Sequence, residues 1–260
     1  MRLTLNIPKQ IFIVFTIFTI INSAECRNFK IVGGSAANIL NFPFQVVYYS
    51  NNDFVCSGSL ISPLFILTAA HCTYFFPSQI TVRLGSSYRQ HGGIMVNVTK
   101  YYAHPQYNSR TFDFDFALLR LNNSVKYSNY IQPAMLPTRS TTLNVGTNCT
   151  VSGWGLQSFN DIEDPPNELM MTTIQISDFK YCQSQYGNSN QNITDRMLCG
   201  SVPDGTRDAC LGDSGGPLVC NGTLCGVISF GYGCAMKEYP GIYSKISSAL
   251  NWIKRIAGIK

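Results

Sequence analysis

Apolar residues in this chain gather in short runs. Residues 45–49, 59–61, 65–68, 80–84, 95–98, 117–121, 150–152, 171–176, 218–219, 224–230 and 241–245 are each apolar or alternate apolar with polar positions. Turn-forming residues separate these runs at intervals typical of β-barrels and sandwiches. No long amphipathic helical stretch breaks the series before its end. The pattern over residues 177–185 predicts a short helix. Residues 247–259 read as a C-terminal helix, with Leu250 and Ile253 on its packing side and Trp252 and Ile256 as further packing positions. No internal repeat, low-complexity block or interdomain linker stands out, so residues 31–260 read as one all-β unit.

The first 30 residues follow a different pattern. Arg2 and Lys9 supply a basic start, residues 11–21 are apolar apart from two Thr, and Asn22-Ser23-Ala24 offers small residues for cleavage. This is the layout of a secretory signal peptide over residues 1–24, removed after Ala24 or Ser23. The competing reading is a membrane anchor. A spanning helix needs about 20 apolar residues, far more than this run supplies, so no stable anchor is expected. Residues 25–30 form a basic spacer ending at Lys30, followed by Ile31-Val32-Gly33-Gly34. A cut after Lys30 would leave Ile31 with a free ammonium; the alternative is a loop leading into a strand.

Composition supports both patterns. The chain has 260 residues, 45% of them apolar and 13% charged, which is ample for a large core. Its 12 Pro and 21 Gly, beside 14 Tyr and 16 Phe, fit many short strands and turns. The formal charge is +5, but part of it sits before Ile31, and no long basic run follows. Nucleic-acid binding therefore lacks an electrostatic footprint. Ten cysteines are many for a reducing compartment. Sequons at Asn97, Asn122, Asn148, Asn192 and Asn221 agree with secretion and are glycosylation candidates. No paired C-x-x-C spacing suggests zinc.

Residues 208–217, Asp-Ala-Cys-Leu-Gly-Asp-Ser-Gly-Gly-Pro, concentrate possible chemistry. Asp, Ser, Gly and Pro are ordinary turn formers. A serine flanked by glycines can also be a nucleophile with backbone N–H groups beside it. Such a serine needs a base and a group that orients the base. Of the three histidines, His91 precedes Gly92-Gly93 and His104 precedes Pro105. His71 closes an apolar strand beside Cys72 and has the most rigid context. Asp113 and Asp115 compete to orient it from Phe112-Asp113-Phe114-Asp115-Phe116. Asp115 leads into the apolar run 117–121, whereas Asp113 reads more easily as a solvated edge residue. Gly212-x-Ser214-x-Gly216 also fits the nucleophile elbow of α/β-hydrolases. That fold places its histidine after the serine, and none follows Ser214.

From Ile31 to the C-terminal helix the chain resembles the secreted trypsin-like serine proteases of the chymotrypsin family. The resemblance rests on Ile31-Val32-Gly33-Gly34, Thr68-Ala69-Ala70-His71-Cys72, Asp115-Phe116-Ala117-Leu118-Leu119, Ser152-Gly153-Trp154-Gly155, Gly212-Asp213-Ser214-Gly215-Gly216-Pro217 and Ser229-Phe230-Gly231, in that order. It implies two six-stranded antiparallel β-barrels with the active site between them and a C-terminal helix. It implies Ser214 as nucleophile, His71 as base, Asp115 as its orienting acid, and the N–H groups of Gly212 and Ser214 as an oxyanion hole. The Ser229 hydroxyl would support Asp115. Asp213 would pair with the Ile31 ammonium after a cut at Lys30, so the uncut chain would be a poorly active zymogen.

The same resemblance puts Asp208 at the floor of the primary substrate pocket, with Gly231 and Gly241 in its walls. It implies cleavage after Arg and Lys. Ala209 replaces a Ser common beside that Asp, which predicts Arg over Lys. Phe230 stands where the family usually has Trp. Ser86 stands where calcium-binding members have Glu, and no carboxylate follows through Lys100, so no metal site and no cofactor are expected. No insertion near His71 or Ser229 suggests a restricted cleft. The family pattern pairs Cys56–Cys72, Cys149–Cys220, Cys182–Cys199 and Cys210–Cys234, leaving Cys26 and Cys225. A Cys26–Cys225 bond would keep the activation peptide attached, although chymotrypsin's matching tether position is Met135 here. The implied partners are protein or peptide substrates, an activating protease and protein protease inhibitors, met by a monomer outside the cell. Two rival readings are a non-catalytic homologue that binds partners, which the intact His71, Asp115 and Ser214 oppose, and a narrowly specific cascade activator.

Overall fold

The computed structural model describes residues 31–75, 78–156, 165–187 and 191–260. The expected signal peptide (1–24) and activation peptide (25–30), with Cys26 and Lys30, lie outside the described residues. A two-residue strand β1 (Ser35–Ala36) and a 3-10 turn at Ile39–Asn41 open the described chain. The first barrel follows: β2 (Gln45–Ser50), β3 (Asp53–Ser62), β4 (Phe65–Thr68), a short helix α1 (Ala70–Phe75), β5 (Ile80–Leu84), β6 (Ile94–Ala103) and β7 (Ala117–Leu121). Its strands close in the order β2-β3-β4-β7-β6-β5, and β5 returns to β2, all antiparallel.

The second barrel comprises β8 (Asn148–Gly153), β9 (Met170–Ile176), helix α2 (Phe179–Gly187), β10 (Met197–Ser201), β11 (Pro217–Cys220), β12 (Thr223–Phe230) and β13 (Gly241–Lys245). Its ring runs β8-β9-β10-β13-β12-β11 and closes on β8, while β1 pairs with β9 from outside the ring. The expected two six-stranded barrels are therefore present.

The sequence pattern explains the barrels. In β5 and β9, buried and half-buried residues alternate strictly, because one face fills the barrel and the other looks outward. β4 is buried along its whole length, and its four residues Phe-Ile-Leu-Thr read as an unbroken apolar run ending in Thr. Helix α3 (Ile246–Ala257) buries Leu250, Trp252 and Ile253 in the same cluster as Leu60, Ile66 and Leu118 of the first barrel. The helix that ends the second barrel thus packs under the first. A buried polar pair also ties the barrels: Ser152 Oγ donates to Gln45 Oε1 (2.8 Å), and Gln45 Nε2 donates to the Ser152 carbonyl (3.2 Å). No helix among the described residues is long and apolar enough to cross a membrane.

The structure differs from the sequence pattern at small elements. Strand β10 and helix α1 were not expected. Cys199-Gly200 interrupts the apolar run of β10, and six residues after an apolar strand give α1 no periodicity to detect. The predicted helix at 177–185 lies two residues later, at Phe179–Gly187, because the Asp178 side chain accepts the Tyr181 N–H and caps it there.

Candidate active site

His71 is the second residue of α1, not the last of a strand. Ala69 and Ala70 before it are fully buried. Cys72 after it is bonded to Cys56 of β3, so the turn is pinned on both sides. Asp115 is fully buried just ahead of β7. One of its oxygens accepts the His71 backbone N–H (2.8 Å) and the other accepts from Nδ1 (2.7 Å). Ser229 Oγ, from β12 of the other barrel, donates to that second oxygen at 2.5 Å. With Nδ1–H committed to Asp115, the basic nitrogen of His71 is Nε2.

Asp113, expected as a solvated edge residue, is instead held in a bidentate ion pair by Arg196, with its side chain only 19% exposed. The guanidinium depresses its carboxyl pKa against the opposing effect of burial. Its oxygens accept from Arg196 and Thr194, while His71 is held by Asp115. The other two histidines have structural settings. His91 stacks on Tyr88 (4.5 Å between centroids), and buried His104 stacks on Phe114 (4.5 Å) while its Nδ1 accepts the Gln106 N–H.

Ser214 sits on a tight loop made possible by glycine. Gly212 (φ +96°) and Gly215 (φ +79°) both adopt left-handed backbone. A Cβ on Gly215 would lie 2.1 Å from Thr68 Oγ1 and 2.5 Å from the Ser57 carbonyl. The Ser57 N–H donates to the Ser214 carbonyl (2.8 Å), so the loop docks directly on the first barrel. Asp213 N–H and Gly216 N–H close the turn internally, while the N–H groups of Gly212 and Ser214 donate to no acceptor among the described residues. Ser214 and His71 line one cleft of about 230 Å³. No hydrogen bond joins their side chains among the described residues; such catalytic bonds are often long without substrate.

Asp208 lines the same cleft and is 6% exposed. Its two oxygens accept the N–H groups of Ala209 (2.8 Å) and Ala235 (2.9 Å). Burial without a cation pushes its pKa up to about 7. A Cβ on Gly241 would come within 2.9 Å of that carboxylate. Gly231 leaves more room, its nearest neighbour being the Gly233 carbonyl at 3.3 Å. The sequence reading missed Tyr243, whose buried hydroxyl lacks a hydrogen-bond partner among the described residues. That hydroxyl lies 3.2 Å from the same Gly241 Cβ position, beside Asp208. Its spacing two residues from Gly241, on the same strand face, was the available signal.

Asp213 is fully buried, with its oxygens on the N–H groups of Gly155 (2.8 Å) and Cys210 (3.0 Å). Burial raises its pKa to about 7 as well. Ile31 is also fully buried. Val32 bridges to Asp208, and Gly33 packs so closely that a Cβ there would meet the Thr206 carbonyl at 2.2 Å. The segment after Lys30 is therefore already seated beside the 206–213 loop. The four family disulfides are formed: Cys56–Cys72, Cys149–Cys220, Cys182–Cys199 and Cys210–Cys234. Cys225 is buried and outside these four. The triplet Cys56, His71 and Cys72 lies close enough for a metal, but both sulfurs are committed to a disulfide.

Comparison with known proteins follows the same lines. Residues 31–253 match the family model described as Trypsin. The chain is 38% identical over 231 residues to "Trypsin 5G1" of Aedes aegypti, covering 88% of this chain and 86% of that protein. It is 38% identical over 230 residues to "Trypsin" of Phaedon cochleariae, covering 87% and 88%. To "Trypsin II-P29" of Gallus gallus it is 39% identical over 228 residues, covering 86% and 88%. Two closed barrels with His71 and Asp115 on one and Ser214 on the other agree with these matches, and the chain belongs to the trypsin family of serine endopeptidases.

Proposed function

We propose that this protein is secreted as a zymogen, is activated by cleavage after Lys30, and hydrolyses peptide bonds after Arg and, less well, after Lys. The observation that carries the specificity is Asp208, a buried carboxylate with two amide partners and no cation among the described residues, in the cleft that holds His71 and Ser214. A guanidinium entering the cleft pairs with Asp208 and restores its charge, whereas a neutral side chain leaves it unpaired. Ala209 offers no hydroxyl to a Lys ammonium, which favours Arg.

The chemistry follows from the hydrogen bonds. Ser214 Oγ attacks the carbonyl carbon of the scissile bond while His71 Nε2 takes its proton. Asp115 accepts Nδ1–H and stabilises the imidazolium. The N–H groups of Gly212 and Ser214, which have no acceptor among the described residues, receive the negative oxygen that forms. The imidazolium then returns its proton to the leaving amine, giving an acyl-enzyme. Water repeats the sequence on the ester and releases the acid. Ser229, donating from the second barrel, keeps the Asp115 carboxylate aligned on His71.

Activation rests on Asp213 and Ile31. Among the described residues the Asp213 carboxyl has two amide partners and no cation. A new Ile31 ammonium would supply the missing charge and hold the 210–216 loop with its oxyanion donors in place. The five sequon asparagines Asn97, Asn122, Asn148, Asn192 and Asn221 are all exposed, which suits glycosylation of an exported protein. Cys26 and Cys225 are assigned to each other. The Leu224 N–H bonds the Met135 carbonyl, so Cys225 lies next to the position that tethers the propeptide in chymotrypsin. Release of a peptide beginning near Glu25 from activated, unreduced protein would disprove that bond. The partners expected are protein or peptide substrates, an activating protease and protein inhibitors of a monomeric enzyme.

The test is to cut the purified protein after Lys30 and profile it on a peptide library, with Ser214→Ala as control. Cleavage after Arg above Lys is expected from the cut wild type and none from the variant. Absence of cleavage after either basic residue sinks the specificity.

A further inference from the structure

The outer face of the first barrel carries a groove of about 600 Å³, more than twice the volume of the cleft that holds His71 and Ser214. Asn52, Gln79, Thr81, Asn97, Thr99 and Tyr101 are among the residues that line it. Thr81 alternates along β5 with the buried Ile80 and Val82, so its side chain lies on the outward face. The lining is therefore mainly amides and hydroxyls, with one aromatic ring. No carboxylate joins them among the described residues, and the one charged member, Lys100, lies over the Tyr102 ring at 4.9 Å. Such a surface suits a neutral, hydroxyl-rich ligand better than an ion.

Two features favour a sugar. The first is a point of attachment: Asn97 heads the sequon Asn97-Val98-Thr99 and is itself part of the lining. The second is an unmet bond. The Thr81 hydroxyl is buried without a hydrogen-bond partner among the described residues, and buried hydroxyls are ordinarily paired. Thr81 stands directly across from Asn97 in the β5–β6 register. Side chains so placed share a face with Cβ atoms about 5 Å apart. The Asn97 amide and an N-acetylglucosamine joined to it bring the donors and acceptors that Thr81 lacks. The C–H face of the sugar ring can lie on the electron-rich face of Tyr101, which is 41% exposed. A sugar tethered this closely meets the groove at an effective concentration on the order of millimolar, so a contact too weak to hold free sugar still holds this one. Asn221 has a different setting, in the tight turn between β11 and β12 on left-handed backbone (φ +51°).

We propose that Asn97 carries an N-linked glycan whose first two sugars fold down into this groove, seated on Thr81 and Tyr101. The inference rests on the proposed export for the attachment of the sugar. The seat itself follows from the groove, none of whose lining residues lines the cleft of His71 and Ser214.

The experiment uses full-length Ser214→Ala protein, made in animal cells that stop N-glycans at the oligomannose stage. Glycopeptide mapping reads occupancy at each sequon. An endoglycosidase that cuts between the first two sugars reads their access in the native fold. Release at Asn97 should be about fivefold slower from native than from reduced and denatured protein, the factor for a seat filled four-fifths of the time. The glycan at Asn221 should show a smaller difference. Thr81→Val and Tyr101→Ala should each speed native release at Asn97 while leaving the other sequons unchanged. If one of these variants fails to fold, the other still reads the rate. Native release as fast as denatured release overturns the seat, as does slow release that neither variant changes. An empty Asn97 beside another filled sequon also overturns it and leaves export standing. Should the protein stay in the cells, export fails, and the same digestion of the cellular pool still decides the seat. No glycan on any sequon in either pool sinks both.

Discussion

At the scale of single residues, the proposed selector is the buried carboxylate of Asp208, which lines the cleft that holds His71 and Ser214. Asp208 is held by two amides and has no counter-ion among the described residues, so its environment favours a ligand that brings one. Asp208→Ser should lower kcat/KM for an arginine substrate roughly a hundredfold or more and erase the preference for basic residues. The rate of a neutral acylating probe at Ser214 should stay close to wild type. A retained basic preference, read from the peptide library, would show that another group selects. His71 and Ser214 were candidates from their local context and Asp208 entered only through the family resemblance; the structure brings all three to one cleft. The setting of Asp113 was not legible, because its partner Arg196 lies 83 residues away and no local pattern announces an ion pair. Tyr243 reads as a core strand residue, and its spacing from Gly241 is the one sequence sign that its hydroxyl stands beside Asp208.

The loop that carries Ser214, the proposed nucleophile, is an element whose shape depends on the barrel it touches. Gly215 has left-handed backbone and no space for a side chain, and the atoms in the way belong to β3 and β4. Gly215→Ala must therefore pay for an unfavourable φ and for pushing Ser57 and Thr68 aside. Calorimetry should show a Tm at least about 3 °C lower from the backbone term alone. Turnover should fall further than stability, because Ser214 is the adjacent residue. Near-normal Tm and turnover would mean that the loop does not dock as described. Strands were legible where burial alternates, as in β5 and β9. They were clipped where pairing extends beyond the apolar run: β3 begins at Asp53 and β6 runs on to Ala103 through residues that show no sequence alternation. Helix α3 announced itself through its apolar stripe, and Gly258 ends it in left-handed backbone (φ +67°).

Across the whole molecule, two buried acids set how stability responds to pH. Asp208 and Asp213 are both pushed up to about 7 in the uncut chain from an ordinary value of 3.8. Between those limits the folded form binds more protons than the unfolded one, so stability falls as pH rises. Their contribution is complete below about pH 4 and is lost through pH 7. Asp113, with its depressed pKa, works in the opposite direction and only below the ordinary carboxylate value. The urea midpoint of uncut Ser214→Ala protein should decline from pH 4 to pH 7, and the decline should be shallower after cutting at Lys30. Equal slopes would mean that the new ammonium does not reach Asp213. The barrel closure itself was expected from the resemblance, since pairing between distant strands leaves no mark in a local pattern. The seat of Ile31 has a further consequence. Val32 pairs with Asp208 and Gly33 packs on Thr206, so under the proposed activation the socket would act as a ruler. A chain end one residue too long or too short would miss its mark by about 3.4 Å. Stray nicks near Lys30 would then leave the protein silent, and fidelity of switching on would reside in the lock as much as in the protease that turns it.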